Sequence, residues 1–303
     1  MRRIRPWLGT YVHIDVTAAD AHRAALSVEA AFETIAAVHR AMSFHSPDSE
    51  ISRLNREAHL RPVSVSAHTR EVLLATRRFA QLSGGLFDPT MAPALVRHQL
   101  LPTPAAPAAD REANWEDIEI DKDGQVFFRR PLWIDLGGIA KGYAVDQAID
   151  VLRDFGVLEA CVNAGGDLRN FSREGLRHPL TVRHPGDASR SIPLGHIANK
   201  AVASSGEFVL GRSGTQTDTS PIVDPRHGVA QCRPRSVTVI ADSCCTADAL
   251  TKIVSLLGQH ASPLLAELDA SAAIIEAPDT LHASSGFWSA LGHDASPGHA
   301  LHA

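Results

Sequence analysis

Lysine is scarce in this chain of 303 residues. The 29 basic residues include only four lysines, at Lys122, Lys141, Lys200 and Lys252, and the other 25 are arginines. With 34 acidic residues the formal net charge is −5, and the sequence contains no basic block. A mildly acidic chain of this kind binds nucleic acid poorly, so we expect small molecules or proteins as partners.

Long apolar runs are also absent. No stretch reaches the roughly 18 apolar residues of a membrane-spanning helix. The basic N-terminus is interrupted by Pro6 and Gly9, and no apolar run of about 7–15 residues follows it. No lipobox-type cysteine lies near the start. We therefore expect a cytoplasmic protein without a signal peptide, a lipid anchor or a membrane span.

Cysteine is rare, with Cys161, Cys232, Cys244 and Cys245 and no C-x-x-C spacing. We interpret all four as reduced, buried thiols. Several motifs are missing as well: H-E-x-x-H, a Cys/His ladder, G-x-S-x-G, the P-loop and the dinucleotide G-x-G-x-x-G. Their absence argues against a zinc site, an α/β serine hydrolase, a P-loop and a Rossmann dinucleotide site.

The composition is that of a globular protein, with 44% hydrophobic and 21% charged residues, which excludes a disordered or fibrous chain. The length allows one large domain or two of ordinary size. Apolar periodicity predicts helices at 18–42, 67–82, 139–155 and 247–257. It predicts strands at 118–120, 126–129, 132–134, 160–163, 201–204, 236–241 and 272–275, and leaves 173–200 unassigned. Because these elements show no regular βαβ order, we expect a mixed α+β fold.

Residues 134–146 join an apolar strand, which ends in Asp135, to a helix with Lys141 in its first turn. Between them, Gly137 and Gly138 let the backbone approach a ligand closely. A helix N-terminus with a lysine beside it suits a phosphate group. An ordinary tight turn explains the same residues and stays an alternative.

A second polar segment, residues 246–252, places Asp248 near the start of a predicted helix. Thr251 and Lys252 follow at i+3 and i+4 and share its face of the helix. A carboxylate beside a hydroxyl suits a hard cation such as Mg²⁺. The alternative is an Asp248–Lys252 helix pair without a ligand, worth about 0.2–0.5 kcal/mol.

Four further loops contain clustered turn residues, at 83–90, 163–167, 204–206 and 223–228. Each of them alone indicates only a turn. Phe87, in the first loop, is either a ring that stacks on a flavin or adenine or a residue of the core.

Taken together and in order, these segments resemble the FAD:protein FMN transferase family, the ApbE family. Leu8-Gly9-Thr10 is similar to its opening Met-Gly-Thr, and residues 42–55 are similar to its Ser-rich loop ending in Leu-Asn. Further matches follow at 84–90, 135–146, 163–167, 203–206, 223–228 and 247–250. Several short matches in one order are far more specific than any single motif.

The resemblance implies a single two-lobed α+β domain over residues 5–291, with mixed, largely antiparallel sheets flanked by helices, and a flexible tail over 292–303. It implies an enzyme that binds FAD and Mg²⁺ and moves FMN onto a Thr or Ser hydroxyl of an acceptor flavoprotein, releasing AMP. In such phosphoryl-group chemistry the metal ion bridges phosphate oxygens and stabilises the developing charge.

The resemblance also assigns residues to roles. Asp248 and Lys141 would be catalytic. The metal would be bound by the Gly138 carbonyl and the Asp248 carboxylate, and we expect the Thr251 hydroxyl of this chain as a further ligand. FAD would be contacted by Leu8, His45, Leu86, Phe87, Asp88, Asp135, Lys141 and Ile222, with His45 where the family often has Tyr.

Three departures from the family pattern bear on these roles. Four residues after the metal-binding Asp the family usually has Thr or Ser, whereas this chain has Lys252. Either Thr251 serves instead, or the Lys252 ammonium lies where the metal ion would. Pro221 stands where the family often has His, and His227 lies six positions on. The missing export signal, the third departure, suggests a cytoplasmic acceptor.

Two other functions stay open on the sequence. One is an FAD pyrophosphatase, which passes FMN to water and releases AMP. The other is a non-catalytic FAD-binding protein in which Lys252 takes the place of the metal ligand.

Overall fold

The computed structural model describes residues 1–185, 187–206, 222–230, 235–277 and 279–293. Pro221, Cys232 and the predicted tail beyond His293 lie outside the described residues. Within the described part, the helices are α1 Ala21–Met42, α2 Glu50–Glu57, α3 Ala67–Leu82, α4 Ala92–Arg97, α5 Ala140–Asp154, α6 Cys244–Leu257, α7 Ser262–Glu267 and α8 Phe287–Ala290. None of these helices has both the length and the low polarity needed to cross a bilayer.

The strands of the described residues are β1 Arg2–Trp7, β2 Thr10–Thr17, β3 Val63–Ser64, β4 Ile118–Ile120, β5 Gln125–Phe128, β6 Glu159–Ala164, β7 Asp167–Ser172, β8 His178–His184, β9 Asp187–Ile197, β10 Ala201–Gly206, β11 Val223–Asp224, β12 Val229–Ala230, β13 Arg235–Ala241, β14 Ser271–Glu276 and β15 Thr280–Ala283. Every pair of neighbouring strands that is described is antiparallel. The α+β class with antiparallel sheets is confirmed.

The chain divides into two compact units. The first comprises Met1–Ile35, Lys141–Asp218 and Cys232–Ala303, and the second comprises Ala36–Ala140 and Thr219–Gln231. The single domain over residues 5–291 stays a prediction.

The first unit contains an eight-stranded sheet with the order β1-β2-β6-β7-β10-β13-β14-β15. Successive residues of a strand point to opposite faces, and Ala201 and Val202 belong to two different apolar clusters. The Ala201 cluster packs α1 and α5 on β2 and β6, through residues such as Phe32 and Ile149. The Val202 cluster packs the β8–β9 hairpin and Phe287 of α8 on the sheet. Both faces are therefore covered.

The second unit contains the three-stranded sheet β3-β5-β4, the β11–β12 hairpin and helices α2 to α4. Serines start two of these helices: Ser49 accepts the N–H of Ser52, and Ser66 accepts the N–H of Thr69. Such caps satisfy backbone donors that the first turn leaves unpaired. Helix α3 has the bounds that the sequence predicts, because its cap and apolar stripe are both local signals.

The predicted strand at 132–134 is wrong. The Ile134 N–H donates to Asn55 Oδ1 at 2.8 Å, and Asn55 Nδ2 donates to the Ile134 carbonyl at 3.1 Å. One buried side-chain amide thus satisfies the backbone groups that a neighbouring strand would otherwise pair. The segment is apolar because it is buried, with Leu132 and Ile134 at most 1% exposed.

Candidate functional site

Asp248 is the most deeply buried acidic residue of the predicted site, with 0% exposure. It lies in α6, which begins at Cys244, three residues before the predicted start, because Ser243 caps the helix by accepting the N–H of Thr246 at 3.1 Å. Its Oδ2 accepts the Gly142 N–H at 3.0 Å. Its Oδ1 accepts a hydrogen bond from the Lys252 ammonium. A buried carboxylate needs such partners.

Gly142 allows α5 to approach α6 closely. A Cβ built at this position would lie 2.2 Å from the Cys244 carbonyl oxygen and 2.8 Å from the Asp248 Cβ. No side chain fits within those distances, so the residue type is set by the contact and not by helix propensity. The consequence is that one amide in the first turn of α5 binds Asp248 instead of a ligand.

Asp146, one turn further along α5, fixes the start of α6. Its carboxylate accepts the N–H groups of Cys244 at 2.9 Å and Cys245 at 2.8 Å, and the Arg169 guanidinium at 2.8 Å. Burial raises the pKa of Asp146, and Arg169 opposes the rise. Since first-turn amides lack partners within their own helix, a carboxylate supplied by another helix stabilises this terminus.

Lys141 lies between two carboxylates of the first unit. Its Nζ is 3.0 Å from Asp167 Oδ2 and 3.8 Å from Asp248 Oδ2. Burial would lower the pKa of Lys141, but Asp248 and Asp167 outweigh it and raise that pKa above its ordinary value. The lysine therefore stays charged.

Asp167 is a site residue to which the sequence reasoning assigned no role. It begins β7, directly after a turn in which Gly166 donates its N–H to Asn163 Oδ1 at 2.9 Å. Burial and the Asp248 carboxylate raise the pKa of Asp167, while the ammonium groups of Lys141 and Lys252 oppose the rise. Its signal was the glycine-rich loop at 163–167, but only the fold brings that loop to Lys141.

The predicted metal ligands of the first unit are engaged within the protein. The Thr251 hydroxyl donates to the Asp248 carbonyl at 2.7 Å and lies 2.8 Å from Ser205 Oγ. The Lys252 ammonium donates to the same carbonyl at 3.1 Å and to Asp248 Oδ1. Two unit charges of one sign about 4 Å apart repel by about 4 kcal/mol near a protein surface. A divalent ion bound to Asp248 Oδ1 would have to displace the Lys252 ammonium from that oxygen, so these residues as arranged do not fit Mg²⁺.

The described histidines, cysteines, aspartates and glutamates likewise form no group of three or more suited to a metal ion. Cys161, Cys244 and Cys245 are free thiols, as the sequence predicts. Burial raises the pKa of all three, so their sulfurs stay protonated.

The turn predicted to contact FAD near the N-terminus also lies in the first unit. Leu8 and Gly9 form the two-residue loop of the β1–β2 hairpin with φ of 56° and 73°. A Cβ at Gly165 would lie 2.6 Å from Thr10 Oγ1, so this hairpin packs directly on the loop that precedes Asp167. The hairpin that carries Leu8 therefore contacts the loop that precedes Asp167.

The other predicted FAD contacts belong to the second unit. Leu86 and Phe87 are buried, and the Phe87 ring meets Phe79 edge-on at 6.0 Å between centroids. Asp88 Oδ1 accepts the Thr90 N–H at 2.8 Å, and burial raises the pKa of Asp88. His45 is exposed. These contacts give Phe87 a core partner, while its role in binding a nucleotide stays a prediction.

Asp135, Gly138 and Ile222 complete the predicted set in the second unit. The Asp135 N–H donates to the Pro89 carbonyl at 2.9 Å, and Asp135 Oδ2 accepts the Gly137 N–H at 3.1 Å. Gly138 is partly buried and Ile222 is buried. The contact with Pro89 fixes the Asp135 segment beside the loop that carries Asp88.

The family model of the ApbE family matches residues 8–275 of the chain. The FAD:protein FMN transferase of Vibrio cholerae is 29% identical over 239 residues, which cover 75% of this chain and 72% of that protein. The protein of that name from Haemophilus influenzae is 27% identical over 252 residues, with coverages of 76% and 72%. Two solved structures are similar at 26% identity over 96% of this chain and 99% of theirs: a mutant of the flavin transferase ApbE from Vibrio cholerae, with a TM-score of 0.78, and the ApbE protein from Thermotoga maritima, with a TM-score of 0.80.

Proposed function

The chain belongs to the ApbE family, and on that premise we propose that it is an FAD:protein FMN transferase, which moves the FMN half of FAD onto a Thr or Ser hydroxyl of an acceptor protein. Curated relatives with that name support the proposal. The observation that carries it is the charged cluster of Lys141, Lys252, Asp167 and Asp248. The two lysine side chains are 31% and 21% exposed, whereas the two carboxylate side chains beside them are at most 4% exposed. Such a cluster suits a pyrophosphate.

The proposed reaction breaks one phosphoanhydride bond and forms one phosphoester bond. The acceptor oxygen attacks the phosphorus of the FMN half, the bond to the bridging oxygen breaks, and that oxygen leaves with AMP. The hydroxyl proton is released. Phosphoryl-group transfer depends mainly on positioning and on neutralising the developing negative charge. Lys141 is placed to do so by Asp167 and Asp248.

The proposed reaction does not use Mg²⁺. Asp248 and Thr251 were the ligands expected in the first unit, and both are engaged in internal hydrogen bonds. Lys141 and Lys252 supply the positive charge there.

The test uses purified protein, FAD and a peptide library with one fixed Thr or Ser per peptide. Mass spectrometry of the peptides and chromatography of the nucleotides are read from the same mixture. A gain of one FMN per peptide with an equal amount of AMP is the expected result. A library with Ala at the fixed position is the matched control and should gain no mass.

Two other outcomes contradict the proposal in different ways. AMP with free FMN and no peptide gain identifies an FAD pyrophosphatase. Intact FAD bound to the protein for hours identifies a non-catalytic binding protein. Asp248→Ala should abolish turnover, because it removes the carboxylate partner of Lys252 and one of the two carboxylate partners of Lys141. Undiminished turnover in this variant would exclude Asp248 from the site.

A further inference from the structure

We propose that the Lys252 ammonium is the resident cation of this site, so that the site binds a pyrophosphate without a divalent metal ion. The proposal deepens the proposed function and depends on it only for the identity of the nucleotide. It follows from three properties of the charged cluster: where the ammonium lies, which oxygens are occupied and how the charges balance.

The position of Lys252 differs from that of an ordinary lysine paired along a helix. Its Nζ donates to both the side chain and the main-chain carbonyl of Asp248, at 3.1 Å for the carbonyl. Exposed i,i+4 pairs are flexible and contribute little. Here the Asp248 side chain is 0% exposed and that of Lys252 only 21%. The ammonium is therefore held in one place by two oxygens of a single residue.

Both carboxylate oxygens of Asp248 already have a donor. Asp248 Oδ2 accepts the Gly142 N–H at 3.0 Å. The Thr251 hydroxyl, the only hydroxyl on this turn of the helix, points its proton at the Asp248 carbonyl and lies 2.8 Å from Ser205 Oγ. The Thr251 hydroxyl would have to break both contacts before it could bind a metal ion in place of a side chain at position 252.

In the absence of a ligand, the charges of the cluster balance without a metal ion. Lys141 and Lys252 carry two positive charges, and Asp167 and Asp248 carry two negative charges at or near contact distance. The two lysine side chains are more exposed than the two carboxylate side chains. An ammonium has three N–H donors, of which Lys252 uses two on Asp248. Among the described residues no contact occupies the third donor, which we assign to a phosphate oxygen.

Lys252→Thr tests the proposal, because it removes the ammonium and places an oxygen at the same turn of the helix. FAD binding is measured by flavin fluorescence with EDTA and with Mg²⁺, and Mg²⁺ alone is measured by calorimetry and thermal melting. For the unaltered protein we expect the same FAD affinity in both buffers and no Mg²⁺ binding. For the variant we expect FAD affinity to fall by about tenfold or more in EDTA, as for the loss of one charge-assisted hydrogen bond, and to recover with Mg²⁺.

Two further variants separate charge from other effects. Lys252→Met lacks both the ammonium and a ligand oxygen, so its FAD affinity should fall in both buffers. Lys200→Thr removes another Lys–Asp pair of the same unit, with Asp242 at 2.6 Å, and should behave as the unaltered protein. Thermal melting of each variant checks that it folds, and Lys252→Ser replaces Lys252→Thr if the latter does not.

The Mg²⁺-alone measurement decides the cation assignment independently of FAD. Stabilisation of the unaltered protein by Mg²⁺, or FAD binding that requires Mg²⁺, would overturn it. If the unaltered protein binds no FAD in either buffer, the proposed function fails, whereas Mg²⁺ binding by Lys252→Thr but not by the unaltered protein would still support the assignment.

Discussion

Replacing Gly142 by alanine is a direct test of the contact between α5 and α6. The added Cβ would lie 2.2 Å from the Cys244 carbonyl oxygen, a distance at which the backbone of α6 must move. That movement would also break the 3.0 Å hydrogen bond from the Gly142 N–H to Asp248. The substitution therefore acts on stability and on the site together.

Opposing effects determine how much Gly142→Ala changes the free energy of unfolding. In an exposed helix, alanine in place of glycine would stabilise by up to about 1 kcal/mol. Overpacking costs about 1–3 kcal/mol, and a buried carboxylate that loses a donor costs about 1–3 kcal/mol. We therefore expect a net loss of about 1–5 kcal/mol in the free energy of unfolding.

Urea unfolding followed by circular dichroism measures the stability, and FAD fluorescence measures the site. Asp154→Ala, at the exposed end of the same helix, is the control and should stay within about 0.5 kcal/mol of the unaltered protein. If Gly142→Ala is as stable as the unaltered protein, or more stable, helix propensity has outweighed the contact and the reasoning is refuted.

Two further changes test charge placement in each unit. Lys141→Arg should weaken FAD binding by about tenfold, because a planar guanidinium does not replace a compact ammonium 3.0 Å from Asp167; an equal affinity by fluorescence titration would contradict this. Asp88→Asn should change the pH dependence of stability. Since burial raises the pKa of Asp88, its proton stabilises the folded protein in full below the ordinary carboxyl pKa and loses that effect as the pH rises through the raised value. Urea midpoints between about pH 4 and pH 7 should therefore fall less in the variant than in the unaltered protein, and parallel curves would speak against the shift.

The β8–β9 hairpin shows where the sequence reasoning stopped. Buried Leu180 and Val182 alternate with exposed Thr181 and Arg183, which is the two-residue period of a half-buried strand. This alternating run is short and lies in a polar stretch, so its two-residue period alone does not predict a strand. Its burial comes from distant partners such as Phe287, which no local pattern reveals.

The candidate site was predictable only where local sequence patterns mark its residues. Asp248 and Lys141 lie in motifs whose residue types predict a charged site. The fold brings Lys141 Nζ to 3.8 Å from Asp248 Oδ2. The roles of Asp146 and Asp167 depend on contacts with Cys244 and Lys141, which only the fold creates. The Asn55 side-chain amide binds the backbone of Ile134 in place of a neighbouring strand. Apolar periodicity does not predict such a contact.

The hydrogen bonds of Asp146 to the start of α6 have a consequence for the cost of ligand binding. Together with the Gly142 contact, they connect the first turns of α5 and α6, so that the relative positions of Lys141 and Asp248 are set by contacts within the protein. The entropic cost of ordering these groups is then incurred during folding and not during binding, which makes the site preorganised. Charges that are already fixed need little reorganisation during a reaction, and under this condition a protein lowers a barrier most effectively.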